Sequence, residues 1–134
     1  GKGKDHTVIM GCYGIGLSRL MGTVVEIHHD ENGIIWPESI APFAVHLLAL
    51  PGGEKEAGKL YKLLQEKGVE VLYDDRTDIG AGEKLKDSDL LGIPSRVVVS
   101  DRTLQKKAVE VKKRKAAKES LVKLSKLKSY VWNK

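Results

Sequence analysis

Residues 43–50, FAVHLLAL, are apolar at every position except His46. A run with no polar alternation has no solvent-facing side, so it predicts a strand buried on both faces, as in a parallel sheet with helices above and below. The residues after it keep that rhythm. PGGE at 51–54 is loop and helix entry, and EKEAGKLYKLLQEK at 54–67 gathers Ala57, Leu60, Tyr61 and Leu64 on one helical side before Gly68 closes the helix. Residues 69–73 read as a second strand, 74–82 as a polar loop and 83–91 as a short helix. After the Gly92-Ile93-Pro94 turn, SRVVVS at 95–100 reads as a third strand, and 108–112 as a fourth. A last helix is expected over 116–132, burying Leu121, Leu124, Leu127 and Val131. Strands alternating with helices predict an α/β fold built on a mainly parallel sheet covered on both faces.

Upstream the pattern differs. TVIMGCY at 7–13 reads as a buried strand and LSRLMGTVVEI at 17–27 as a helix with Leu17, Leu20, Met21, Val24, Val25 and Ile27 on one face. Between them, MGCYGIGLSR at 10–19 sets three glycines and an arginine at the helix entry. Glycine lets backbone approach a ligand closely, and a helix N-terminus with an arginine beside it suits a phosphate oxygen. The spacing fits neither a Walker loop nor a complete dinucleotide fingerprint, so the residues alone leave a nucleotide site and a purely structural turn both open. HHDENGIIWPESIAPF at 28–43, with Asn32-Gly33, Trp36-Pro37 and Ala41-Pro42, reads as loop and linker, with a domain boundary at 39–42.

The chain has 134 residues and a net charge of +5, unevenly placed. After Ser100, twelve Lys and Arg face three Asp and Glu (+9), whereas the first 100 residues carry eleven against fifteen (−4). That polarity fits a polyanion partner and equally fits a solvated lysine-rich face. No apolar run approaches the roughly 20 residues of a membrane span, and a cytoplasmic protein is expected. Cys12 is the single cysteine, which excludes an internal disulfide and a Cys-based zinc cluster. His28, His29, Asp30 and Glu31 are too few and too divergent to form a closed metal site, so no metal is expected and a loop contact to another domain is favoured. His46, inside an apolar strand, reads as a hydrogen-bonded core histidine rather than a catalytic base.

MGCYGIGLSRLMGTVVE at 10–26 and the following HHDENGIIWPESIAPF resemble the third signature motif, and the exit from the catalytic domain, of bacterial-type prolyl-tRNA synthetase, a class II aminoacyl-tRNA synthetase. YDDR at 73–76, GEKLKDSDLLGIPSRVVVSDR at 82–102 and VEVKKR at 109–114 resemble that family's anticodon-binding domain, so the likeness covers essentially the whole chain. It implies a remnant of the catalytic domain over 1–40 and an anticodon-binding domain over 41–134, the latter a three-layer α/β/α fold with a mixed sheet of four to five strands and about three helices. It further implies that Arg19, Gly14 and Gly16 border ATP and that Cys12 borders a proline pocket. On the same resemblance the parent enzyme would use ATP and Mg2+, would be a homodimer, and would have tRNA with a proline anticodon as its partner. Proline activation rests on positioning and on neutralising phosphate charge, which one arginine on a strand-turn-helix cannot supply, so the chain by itself is expected to bind tRNA without catalysis.

The resemblance places Leu85, Asp89, Arg96 and Arg102 at the anticodon. The chemistry suits it: a carboxylate accepts from guanine N1 and N2, a guanidinium donates to O6 and N7, and proline anticodons carry two adjacent guanines. Where relatives often carry an aromatic residue and a glutamate, this chain has Leu85 and the shorter Asp89. Lys112, Lys113 and Arg114 are candidates for the tRNA backbone, and Asp74-Asp75-Arg76 for an ion pair within the domain. Asp89 also fits an exposed helix position, while Leu85 fits equally as a core residue and the basic triplet equally as solvated charge. A free-standing accessory module of the same fold and a small nucleotide-binding protein are the alternative readings.

Overall fold

A computed structural model describes residue 3, residues 6–127 and residue 130. In chain order the elements are helix α1 (Leu17–Ile27), a two-stranded hairpin of β1 (His29–Asp30) and β2 (Gly33–Ile34), strand β3 (Val45–Ala49), helix α2 (Glu54–Glu66), strand β4 (Val71–Asp74), helix α3 (Ala81–Leu91), strand β5 (Ser95–Val99), helix α4 (Asp101–Gln105), and strands β6 (Ala108–Lys113) and β7 (Ser120–Lys123), with a 3-10 turn at Leu124–Lys126. Five strands form one sheet in the order β4-β3-β5-β6-β7. β3 runs parallel to β4 and β5, while β5–β6 and β6–β7 are antiparallel.

The sheet is evenly mixed rather than mainly parallel because of chain length. A parallel crossover needs a dozen or more residues, and only residues 100–107 separate β5 from β6. That segment makes α4 and turns straight back. Ser100 caps α4 through a capping box with Thr103.

Period two divides the sheet. One face presents Val45, Leu47, Val97, Val99, Val109 and Val111 to Ala57, Leu60 and Leu64 of α2, and this is the hydrophobic core. The other face carries His46, Arg96, Glu110 and Lys112, with α3 lying over only part of it. Lys84 anchors α3: its buried Nζ donates to the Ala49 carbonyl at 2.7 Å and lies 3.4 Å from Asp74 Oδ1. Asp74 is further gripped by Arg76 at 2.7 Å, so the ion pair expected around residues 74–76 is present, with Asp87 as a third member. Chiefly through the Arg76 hydrogen bond, the Asp74 carboxyl is lowered to about 2.

Three expectations fail for physical reasons. Residues 7–13 form no strand, because no other strand among the described residues lies alongside to complete a ladder, and Val8, Ile9 and Met10 are exposed. Of the helix expected over 116–132, residues 120–126 form β7 and the 3-10 turn instead, residues 127 and 130 are helical, and 128, 129, 131 and 132 lie outside the described residues. Alternation at residues 120–123 puts Val122 into the core, and pairing with β6 satisfies an edge that would otherwise stay open. Leu127 is buried as expected, Leu121 and Leu124 are exposed, and Val131 lies outside the described residues. Residues 28–43, read as loop and linker, contain the β1–β2 hairpin.

His46 is buried as expected, but its Nδ1 has no hydrogen-bond partner among the described residues. Burial, followed by the charge of Arg96, lowers its pKa from 6.5 to about 4. The fold therefore holds the neutral imidazole, and this contribution is complete above pH 6.5 and lost as pH falls through about 4. A shift of that size is worth up to about 3 kcal/mol. Denaturant unfolding at pH 7 and pH 4.5 should show His46→Gln losing less stability on acidification than the wild type; equal losses would contradict the assignment.

Candidate nucleic-acid interface

The part of the sheet that α3 leaves uncovered forms a groove bounded by α3, α4 and β7. Register makes the floor continuous: Arg96 pairs with Lys112, Val98 with Glu110, and Glu110 with Leu121. Along this floor lies a cavity of about 520 Å³, walled by Leu85, Arg102, Lys106, Glu110 and Glu119 among others. Leu85 and Arg102, expected at an anticodon, thus share one cavity, with Leu85 half-buried and Arg102 exposed.

Asp89 and Arg96 meet beside it. Arg96 Nη1 donates to Asp89 Oδ1 at 3.0 Å and reaches the Leu85 carbonyl at 3.5 Å. The two residues are on the same side of the platform, yet they engage each other. The Arg96 side chain is only 10% exposed against 29% for Asp89, and Arg96 Nε is buried without a partner among the described residues. Arg96 therefore orients the carboxylate more than it offers a full donor fork to a base. Lys112 Nζ stands 3.8 Å from the same Oδ1, whereas Oδ2 of Asp89 has no partner among the described residues.

The basic triplet does not act as one clamp. Lys112 belongs to the groove face, while Lys113 points to the opposite face, donating to Ser95 Oγ at 2.9 Å and lying 3.8 Å from Glu38. Arg114 is buried and its donors are already engaged: Nη1 and Nη2 hold both oxygens of Asp30 at 2.8 and 2.6 Å, and Nε donates to the Asp89 carbonyl at 3.0 Å. That fork holds the Asp30 carboxyl far below the usual carboxylate range and raises the pKa of Arg114. Asp30 is thereby engaged within the chain.

Asp30 also accepts from the Asn32 and Gly33 amides, fixing the hairpin turn. The hairpin then lies against the C-terminal end of α3. Trp36 Nε1 donates to the Leu91 carbonyl at 3.0 Å. Gly33 (φ 141°) and Gly92 (φ 72°) leave no space for a Cβ, because the Leu90 backbone and the Ile34 carbonyl stand where it would go.

Sequence reasoning missed Lys106, Glu110, Glu119 and Leu121. The signal for Glu110 was present, since it and Lys112 alternate with Val109 and Val111 along β6. Leu121 was hidden by the helical reading of its segment.

Cys12, Gly14, Gly16 and Arg19 are all exposed, and α1 buries none of its residues. Arg19 is the one basic residue in the 10–19 stretch. Among the described residues, no group of three or more His, Cys, Asp or Glu is placed to hold a metal ion, and no helix is long and apolar enough to cross a membrane.

Comparison with known proteins shows that residues 42–134 match the family described as "Anticodon binding domain". The chain belongs to that family. The anticodon-binding domain accounts for the sheet, α2, α3 and α4, and the match begins just after the β1–β2 hairpin. Curated relatives carry the name "Proline--tRNA ligase", the family that the sequence motifs resemble. The one from Persephonella marina is 47% identical over 96% of this chain and 23% of the relative, and that from a Sulfurihydrogenibium species is 49% identical over 90% and 22%. The chain thus spans less than a quarter of the length of these relatives. A solved structure titled "Giardia lamblia Prolyl-tRNA synthetase in complex with prolyl-adenylate" superposes with a TM-score of 0.71 at 24% identity, covering 82% of this chain and 25% of the other, a likeness of fold.

Because Arg114 makes a fork to Asp30 and a third bond to α3, Arg114→Lys keeps the charge but loses the planar geometry. Its melting midpoint should fall by several degrees, and Trp36 emission should shift to the red as the hairpin loosens. An unchanged midpoint and spectrum would contradict the clip.

Proposed function

We propose that this domain reads the anticodon of proline tRNA as the C-terminal part of a proline-tRNA ligase. The observation that carries the reading is the geometry of Asp89: a carboxylate held at 3.0 Å by a nearly buried Arg96, at the edge of an open groove, with one oxygen unpartnered among the described residues. A guanine presents N1–H and N2–H on its Watson-Crick edge, and a fixed carboxylate accepts from them at little further entropic cost. Leu85 offers an apolar surface under the neighbouring base, weaker than an aromatic ring because it has no π-face. Arg102, exposed at the cavity wall, is free to meet a base edge or phosphate, and Lys112 backs the carboxylate.

The reading extends to the parent enzyme. There, Arg19, Gly14 and Gly16 would border ATP, Cys12 the proline pocket, and the phosphates would be shared with Mg2+ and with groups outside this chain. The parent would be a cytoplasmic homodimer attaching proline to its tRNA, and this chain alone would bind tRNA without activating proline. The exposed apolar residues of α1 support the view that this segment packs against further protein.

Two tRNAs test the reading, one with a proline anticodon and one with cytosines at the two guanine positions. Wild type should prefer the first. Asp89→Asn should lose most of that preference, and Arg96→Ala should weaken the cognate tRNA by about 1 to 3 kcal/mol. Equal affinity of the wild type for both tRNAs would refute anticodon recognition.

A further inference from the structure

A second cavity, of about 460 Å³, opens where the hairpin meets the end of β6. Its walls come from two segments far apart in sequence: His28, His29 and Asn32 on one side, Lys112 and Lys115 on the other. The hairpin side lies outside residues 42–134, the part that matches the anticodon-binding family, so this cavity is not a feature of that domain alone. The Asp30–Arg114 fork joins the two walls. Asp30 is the cavity's one carboxylate, and both of its oxygens are already taken by Arg114. His29 is fixed by its Nδ1 contact to the Val25 carbonyl at 3.1 Å. Lys115 is exposed and has no carboxylate partner among the described residues.

With its acid neutralised, the cavity keeps two lysines, the His28 imidazole and the Asn32 amide as donors, a set suited to a phosphate; His29 is not among them, because its Nδ1–H is spent on the Val25 carbonyl. Lys112 decides which phosphate. It lines this cavity and also stands 3.8 Å from Asp89 Oδ1 at the groove, so the two sites share one side chain. We propose that the cavity binds a backbone phosphodiester of the same tRNA whose base lies at Asp89, with Lys112 and Lys115 as the cationic contacts. This rests on the anticodon reading. It makes the hairpin preceding the family-matched domain part of the RNA-binding surface.

Lys115→Ala removes an exposed side chain and leaves the fold intact. The wild type and this variant are titrated with the proline-anticodon tRNA and with the cytosine-substituted tRNA across a range of KCl concentrations. Lys115→Ala should weaken both RNAs by the same factor, about 3- to 10-fold, and reduce the slope of log affinity against log salt by about 1. Unchanged affinity and slope, while the variant still tells the two RNAs apart, would overturn the phosphate site and leave the anticodon reading standing. If the wild type does not discriminate, that reading falls, and this inference with it. Inorganic phosphate alone provides the remaining arm. Failure to displace tRNA at low millimolar concentration supports a backbone contact, whereas displacement there would mark a free-anion site and overturn the proposal.

Discussion

The guanidinium of Arg114 joins three pieces of chain: the hairpin through Asp30, the end of α3 through the Asp89 carbonyl, and its own position just after β6. A buried guanidinium is tolerated only when its donors are matched, and here a carboxylate and a carbonyl match them. Remove that match and the hairpin is left to Trp36 and the close glycine contacts. The bond to Asp89 ties the same residue to the groove, so one side chain sets both the hairpin's place and the backbone of the carboxylate-bearing residue.

Around this point charge is arranged by depth. Arg96 of β5 and Lys84 of α3 are buried or nearly so between the helix and the sheet, each with a partner, Asp89 for the first and the Ala49 carbonyl with Asp74 for the second. Arg96 braces the helix from the sheet, and Lys84 reaches from the helix down to it. Asp89, Arg102 and Lys115 remain at the surface, where a ligand can reach them. The consequence is a helix whose inner face is fixed by ionic contacts instead of a Leu-rich seam, with the outer edge free to present polar groups. His46 under the same helix must stay neutral beside Arg96, which ties the platform's stability to pH.

Much of this was legible in the sequence where local and global signals agree. The apolar run at 43–50 became β3, buried at every position of its ladder, and the helices at 54–67 and 83–91 formed within two residues of their expected bounds. What could not be read depended on partners distant in sequence. Residues 7–13 have strand composition but no neighbour to pair with among the described residues. Residues 120–123 have helix-forming neighbours but pair with β6, whose open edge outweighs propensity. At the site, the motifs pointed to Leu85, Asp89, Arg96 and Arg102, which do gather along one face. Burial could not be foreseen: Arg96 and Arg114 read as free cations, and both are engaged inside the protein. Asp30 lies 84 residues from Arg114, a separation no periodicity reports.

The account stands on the face that α3 leaves open being the one that meets RNA. Its most direct measurement is the chemical-shift map of the isotopically labelled chain on adding a proline anticodon stem-loop. The account predicts that the shifts concentrate on Leu85, Asp89, Arg96, Arg102 and Leu121 while the outer face of α2, around Lys59 and Leu63, stays unchanged. Shifts centred on α2, with the groove residues silent, would contradict it.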